Sequence, residues 1–71
     1  MPNFLEVYRE FETATRPEEL RRGQFAFNWV SEKFPDIANQ IRGTENDCFY
    51  NDSKLTYFWH EVHRLYDEQN S

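Results

Sequence analysis

A single cysteine, Cys48, leaves nothing to pair with, so the chain has no internal disulfide and no CxxC-type metal knuckle. A lone thiol suits a reducing cytosol. Glycine is almost as scarce: Gly23 and Gly43 are the only two, and no phosphate-cradling loop can be built from them. No stretch approaches the roughly 18 consecutive apolar residues of a membrane span. The first residues also lack the basic-then-apolar order of an export signal. A soluble, cytoplasmic protein without cofactor or resident metal is therefore expected. Basic residues are outnumbered, eight Lys and Arg against thirteen Asp and Glu, for a net charge of −5. Such a surface repels nucleic-acid phosphates. It suits a basic partner, although the same balance is ordinary in small soluble proteins.

What the chain has in excess is aromatic rings. Its 71 residues allow one domain, residues 1–71. A domain this small buries only about 60% of its unfolded surface, so its stability must come from large side chains or from outside help. Seven Phe, four Tyr and two Trp supply such side chains, each ring burying roughly 150–250 Å².

The apolar spacing reads as helix throughout, which makes the expected fold all-α: a compact bundle of three longer helices plus one short helix. Asn3 to Ala14 places Phe4, Val7, Tyr8 and Phe11 on one stripe, with Asn3 as N-cap. Thr15 and Glu18 have capping-box spacing around Pro17, which predicts a second helix from there to Phe34. Its inner face is Leu20, Gly23, Phe27, Val30 and Phe34, and a close neighbour is the expected reason for glycine at position 23. Pro35 to Ile41 reads as a short helix, with Gly43 at its left-handed C-terminal cap. Thr44 to Asp52 is rich in Asn and Asp and reads as an ordered loop, at about 43–52 with its cap. Asp52 or Ser53 then caps a last helix carrying Leu55, Phe58, Trp59, Val62, Leu65 and Tyr66 at i, i+3, i+4, i+7 spacing. Asp67 to Ser71 should fray. Phe58, Trp59 and Val62 are the expected centre of the core, with Phe27 and Phe11 packed against them.

Between Arg22 and about Trp59 the pattern Gly23-Gln24, Asn28, Pro35, Gly43-Thr44, Asp47-Cys48-Phe49-Tyr50 and Asp52 stands out. It resembles small uncharacterised proteins of tailed bacteriophages and prophages, chiefly through the segment GT-x-x-D-C-F-Y-x-D. The resemblance implies a phage or prophage origin and no particular activity. In physical terms the motif reads as structural. Gln24 and Asn28, one helical turn apart, are expected to fasten the loop, Asp47 to cap a turn through Phe49, and Phe49 to plug the core. A ligand-binding loop is the alternative.

Chemistry-bearing clusters are thin. His60 and His63 with Cys48, Asp52 and Asp67 are ligand types, but an H-x-x-H pair lacks the spacing of four in the HExxH signature and a defined third and fourth ligand. Tyr57, His60, Glu61 and Arg64 share an exposed helix face, which offers no pocket to tune a pKa, so no catalytic residue is assigned and no enzyme is expected. Arg16, Arg21 and Arg22 beside Phe25 and Trp29 hint at phosphate pairing and stacking, set against a simpler pairing with Glu18 and Glu19.

The candidate partner-binding residues are Phe25 and Trp29, opposite the inner stripe of their helix, with Arg22 and Lys33 flanking Trp29 as a charged rim. The competing reading buries both rings under the first or the short helix. The expected function is a small acidic phage-type binding protein that docks on a host or phage protein and inhibits or modulates it. The alternative is a self-associating structural or accessory protein, a homodimer, and a nucleic-acid-binding protein ranks third.

Overall fold

Asn3 begins the fold as expected. In the computed structural model, which describes residues 3–70, its side chain accepts the backbone N–H of Glu6 at 3.1 Å and opens α1, Phe4–Thr13. Three further helices follow, α2 at Arg22–Lys33, α3 at Pro35–Ile41 and α4 at Leu55–Gln69, with a single 3₁₀ turn at Asp52–Lys54. The architecture is all-α. Its radius of gyration, 11.4 Å, is close to the roughly 11 Å of a well-packed chain this long.

The core collects one stripe from each helix. Ala26, Phe27 and Val30 of α2 meet Ile37, Ala38 and Ile41 of α3 and Phe58, Val62, Leu65 and Tyr66 of α4, with Phe4 and Val7 of α1 closing one side. Phe58 and Val62 are fully buried, and Phe58 packs on Phe27 with ring centroids 5.8 Å apart. Trp59, expected at the centre, is half-buried instead, while Phe11, expected against it, is half-buried and packs on Trp59 at 4.7 Å. Both pack against the buried cluster from its margin.

The second helix starts later than its capping box predicts. Residues 15–20 form an isolated turn, closed by Leu20 N–H to the Pro17 carbonyl and by Arg16 Nη1 to the Leu20 carbonyl at 2.7 Å. Among the described residues Thr15 caps no helix, and α2 begins at Arg22 behind an N-cap, Arg21, with no side-chain acceptor. The missing acceptor comes from far along the chain: Asp52 Oδ1 takes the N–H of Gly23 at 2.9 Å. A carboxylate there satisfies an orphan amide and complements the positive end of the helix. Asp52 thus caps α2 rather than the last helix, whose 3₁₀ lead-in is capped by the Asn51 side chain on Ser53 N–H.

The intervening loop is fastened by other residues than expected. Asn28 is exposed, and among the described residues neither it nor half-buried Gln24 bonds to the loop. Arg21 does so, donating to the carbonyls of Tyr50 at 3.0 Å and Phe49 at 2.8 Å. This also divides the basic cluster, since Arg21 serves the loop and makes no pair with Glu18 or Glu19. Asp47 behaves as its position suggests, accepting Phe49 N–H at 2.9 Å and Gly43 N–H at 2.8 Å. Thr44 tightens the same corner, its hydroxyl donating to the Ile41 carbonyl at 2.6 Å. Gly43 has φ of +78°, the left-handed conformation expected of the cap. Phe49 packs edge-on against Phe27 at 5.8 Å. At the other end, helix persists through Gln69 where fraying was expected, and Asn70 Nδ2 donates to the Tyr66 carbonyl at 2.8 Å. Ser71, part of the same expectation, lies outside the described residues.

Cys48 is sealed into this junction, donating from Sγ to the Gly23 carbonyl at 3.3 Å. Burial first, then the Asp47 carboxylate, pushes its pKa from the ordinary 9.0 up to about 12. Two results are expected. Ellman's reagent at about pH 8 should modify Cys48 only as fast as the protein opens. Because the folded state holds the thiol proton more tightly, stability from this group is full below about pH 9 and declines as pH rises towards 12. Denaturant midpoints measured across that window should fall less steeply for Cys48→Ala than for wild type. Parallel curves for the two would show the thiol to be uncoupled from folding.

Candidate partner-binding groove

The half-buried aromatic residues do not scatter over the surface. They line a seam between α1 and α4, which run antiparallel: Phe4 sits on His63, Tyr8 on Trp59, and Phe11 farther along on Trp59 and Phe25. The periodicity that puts Phe4 and Val7 in the core leaves Tyr8 and Phe11 on the shoulder of α1, and Leu55 and Trp59 on the facing shoulder of α4. The rings form a ladder. Tyr8 meets Trp59 edge-on at 4.9 Å and 89°, Phe11 meets Trp59 at 4.7 Å, and Phe4 stacks on His63 at 4.4 Å and 9°. Each such pair contributes about 0.5–1.5 kcal/mol beyond burial, which stiffens the floor.

Two concavities open along this seam. The larger, about 530 Å³, is walled by Phe11 and Glu12 of α1, Leu55 and Thr56 of α4 and Phe25 of α2, with Arg16 and Arg22 at its end. The smaller, about 300 Å³, lies towards Phe4, Leu5 and His63. Tyr8, Trp59 and His60 border both, so the two form one groove with a saddle in the middle. Its length is about that of α1, roughly 15 Å for a helix of ten residues. Leu5, 56% exposed, stands at the narrow end.

Charge in the groove is uneven. Among the described residues neither Arg16 nor Arg22 has a carboxylate within ion-pair distance, although the whole chain carries a net −5. Lys33 bonds Glu10 at 3.0 Å, Arg21 holds the loop, and Arg16 keeps one hydrogen bond, to the Leu20 carbonyl at 2.7 Å. Glu12 shares the Arg16–Arg22 end.

The four partner-binding residues expected from sequence are divided. Phe25 and Arg22 lie at the broad end of the groove. Trp29 and Lys33 border a separate hollow with Val7, Glu10, Phe34 and Tyr66, and Lys33 Nζ stands 5.8 Å above the Trp29 ring. Both rings are half-buried against Phe11, at 5.6 Å for Phe25 and 5.4 Å for Trp29. The first helix is therefore the element that partly covers them, and they do not form one solvent-facing patch. The groove residues that sequence reasoning missed are Tyr8, Leu55 and Trp59. They fall on the helical stripes taken for core, and only their position at the edge of a stripe marks them as different.

The other polar clusters stay local. His63 pairs with Asp67 at 3.1 Å, and Arg64 bonds Glu61 and, at 3.1 Å, Glu68 along α4. Among the described residues no three His, Cys, Asp or Glu side chains converge as a metal site would require. No helix among the described residues is long and apolar enough to cross a membrane. Comparison with known proteins finds no matching family model, no matching curated protein and no matching solved structure.

Proposed function

We propose that this chain is a small phage-type binding protein that works in the host cytoplasm by docking on a host or phage protein, which it inhibits or modulates. The observation that carries the docking is the groove: an open row of half-buried rings with Arg16 and Arg22, neither of them ion-paired to a carboxylate among the described residues, at one end. Aromatic and Arg side chains dominate binding energy at protein interfaces, and a preformed ladder loses little entropy on binding. The phage origin rests on the GT-x-x-D-C-F-Y-x-D segment, Gly43 to Asp52. In this proposal α1, α2 and α4 are the three longer helices of the bundle, and short α3 contributes nothing to the groove.

Photo-cross-linking in the expressing host tests the site. Thr56, exposed on the groove wall, and Asn39, exposed on α3, are each replaced by benzoylphenylalanine. A discrete adduct from position 56 and none from position 39 is the expected result. Equal labelling from both positions, or none from either, removes the groove as a docking site. Self-association is the second reading, favoured by exposed Leu5 beside the Phe4–His63 stack. Its signature is an adduct between two copies of the chain and a dimer mass by light scattering.

A further inference from the structure

We infer that the occupant of the groove is an amphipathic α-helix of the partner, laid along the α1–α4 seam with an acidic C-terminal turn against Arg16 and Arg22. This rests on the docking proposal above and names the chemistry of what docks.

The first argument concerns the backbone. The two long walls of the groove are α1 and α4, whose amide and carbonyl groups are largely paired within each helix, and Tyr8, Phe11, Leu55 and Trp59 present apolar surface from them. Only Ala14 and Arg16 at the broad end lie outside a helix. A guest segment pressed against such walls finds few backbone partners, and each amide desolvated without one is penalised. An extended peptide therefore fits badly. A helix, whose backbone is satisfied internally, is the peptide conformation that can lie against these walls at little penalty. Strand addition needs a free sheet edge, and the described residues contain no strand.

The second argument concerns spacing. The groove has two hollows separated by the Tyr8–Trp59–His60 saddle, over a seam of roughly 15 Å, or about ten residues of helix. Apolar side chains at i, i+3 or i+4, and i+7 of a guest helix span about two turns on one face. They would fill one hollow, straddle the saddle and fill the other.

The third argument sets the direction. A helix carries partial negative charge at its C-terminus, and carboxylates pair with guanidinium in short, charge-assisted bonds. Arg16 and Arg22 have no such partner within the protein. Glu12 at the same end offsets one of the two positive charges, so the bias is moderate and easily reversed by substitution. The narrow end, with Leu5 and an Asp67-paired His63, offers no comparable attraction.

The test uses isotope-labelled full-length protein and synthetic amphipathic peptides of about 14 residues. One has leucines on a single face and a glutamate pair in its last turn. The second carries lysines in place of the glutamates, and the third carries a central proline. The glutamate peptide is expected to shift the resonances of Tyr8, Phe25, Trp59 and Arg22, and to bind about tenfold or more tightly than either of the others. Arg16→Glu combined with Arg22→Glu should reverse the preference between glutamate and lysine peptides. Because Arg16 also ties Leu20, Arg22→Glu alone, with an unchanged melting profile, guards against a folding effect. Charge-blind binding, equal binding of the proline peptide, binding outside the groove, or no binding by any peptide overturns the inference. So does concentration-dependent shifting of the groove resonances in the free protein, which identifies a second copy as the occupant. Failure of the two proposals is distinguishable. A cross-link from position 56 to a basic or extended partner segment sinks the helix and keeps the docking, whereas loss of that cross-link sinks both.

Discussion

Gly23→Ala is expected to destabilise the fold by about 3 kcal/mol or more, although alanine is the better helix former by about 1 kcal/mol. An added Cβ would lie 2.1 Å from the Cys48 carbonyl oxygen and 2.9 Å from Asp52 Oδ1. The nearer atom is backbone and already accepts Asn51 N–H at 3.2 Å, so it cannot turn aside like the end of a flexible side chain. The loop has to retreat from α2. In doing so it stretches the Asp52 bond to Gly23 N–H and the Cys48 bond to the Gly23 carbonyl, each contributing about 0.5–1.5 kcal/mol. The clash and the lost bonds together outweigh the gain in propensity. Urea denaturation followed by circular dichroism measures the outcome. Gly43→Ala is the informative comparison: no atom lies within 4 Å of its Cβ, and only the φ of +78° opposes the change, at about 1–2 kcal/mol. A Gly23→Ala protein as stable as wild type would mean that the loop does not sit on this helix.

Phe58→Ala carries the other large effect. The ring is fully buried and packs on Phe27 and Trp59, and truncating such a side chain costs about 3–5 kcal/mol. A chain of this length has a total stability of about 4–11 kcal/mol, so the variant should be largely unfolded at moderate temperature. Tyr57, its neighbour in sequence, is 60% exposed, and Tyr57→Ala should stay within about 0.5 kcal/mol of wild type. Thermal melts of the pair place the inner face of α4 directly. A Phe58→Ala melt that overlays the wild-type curve would relocate the core.

Much of this was legible because it is local. Helical periodicity identified α1, α3 and α4, and both the Asn3 cap and the Gly43 cap depend on residues within a few positions of one another. The Asp47–Phe49 turn is equally short-range. Most of the buried stripe of α4 and the Gly23, Phe27 and Val30 part of that of α2 were legible for the same reason: a period of 3.6 residues repeats regardless of what packs against it. Leu20, however, falls outside α2, Phe34 is only half-buried, and buried Ala26 was not on the expected stripe.

The errors came where a distant group substituted for a local one. Thr15 and Glu18 have the spacing of a capping box, yet α2 starts at Arg22 because Asp52, twenty-nine residues beyond Gly23, supplies the acceptor. Arg21, read as a surface charge, fastens the loop, while Asn28, read as its fastener, faces solvent. A hydrogen-bond acceptor has no preference for sequence distance, so composition and periodicity cannot name its donor.

The amino-acid sequence alone determined that this protein is helical, where its main apolar stripes lie, and that aromatic rings must supply much of its buried surface. The tertiary structure decided which rings were left over. Tyr8, Phe11 and Trp59 obey the same periodicity as Phe4, Val7 and Phe58. What separates them is that α1 covers α4 along one line only, leaving the shoulders of both stripes half-buried and facing one another as a groove. Periodicity encodes which side of a helix is apolar. How much of that side a neighbour covers depends on how the helices pack, and that packing brings together residues some fifty positions apart.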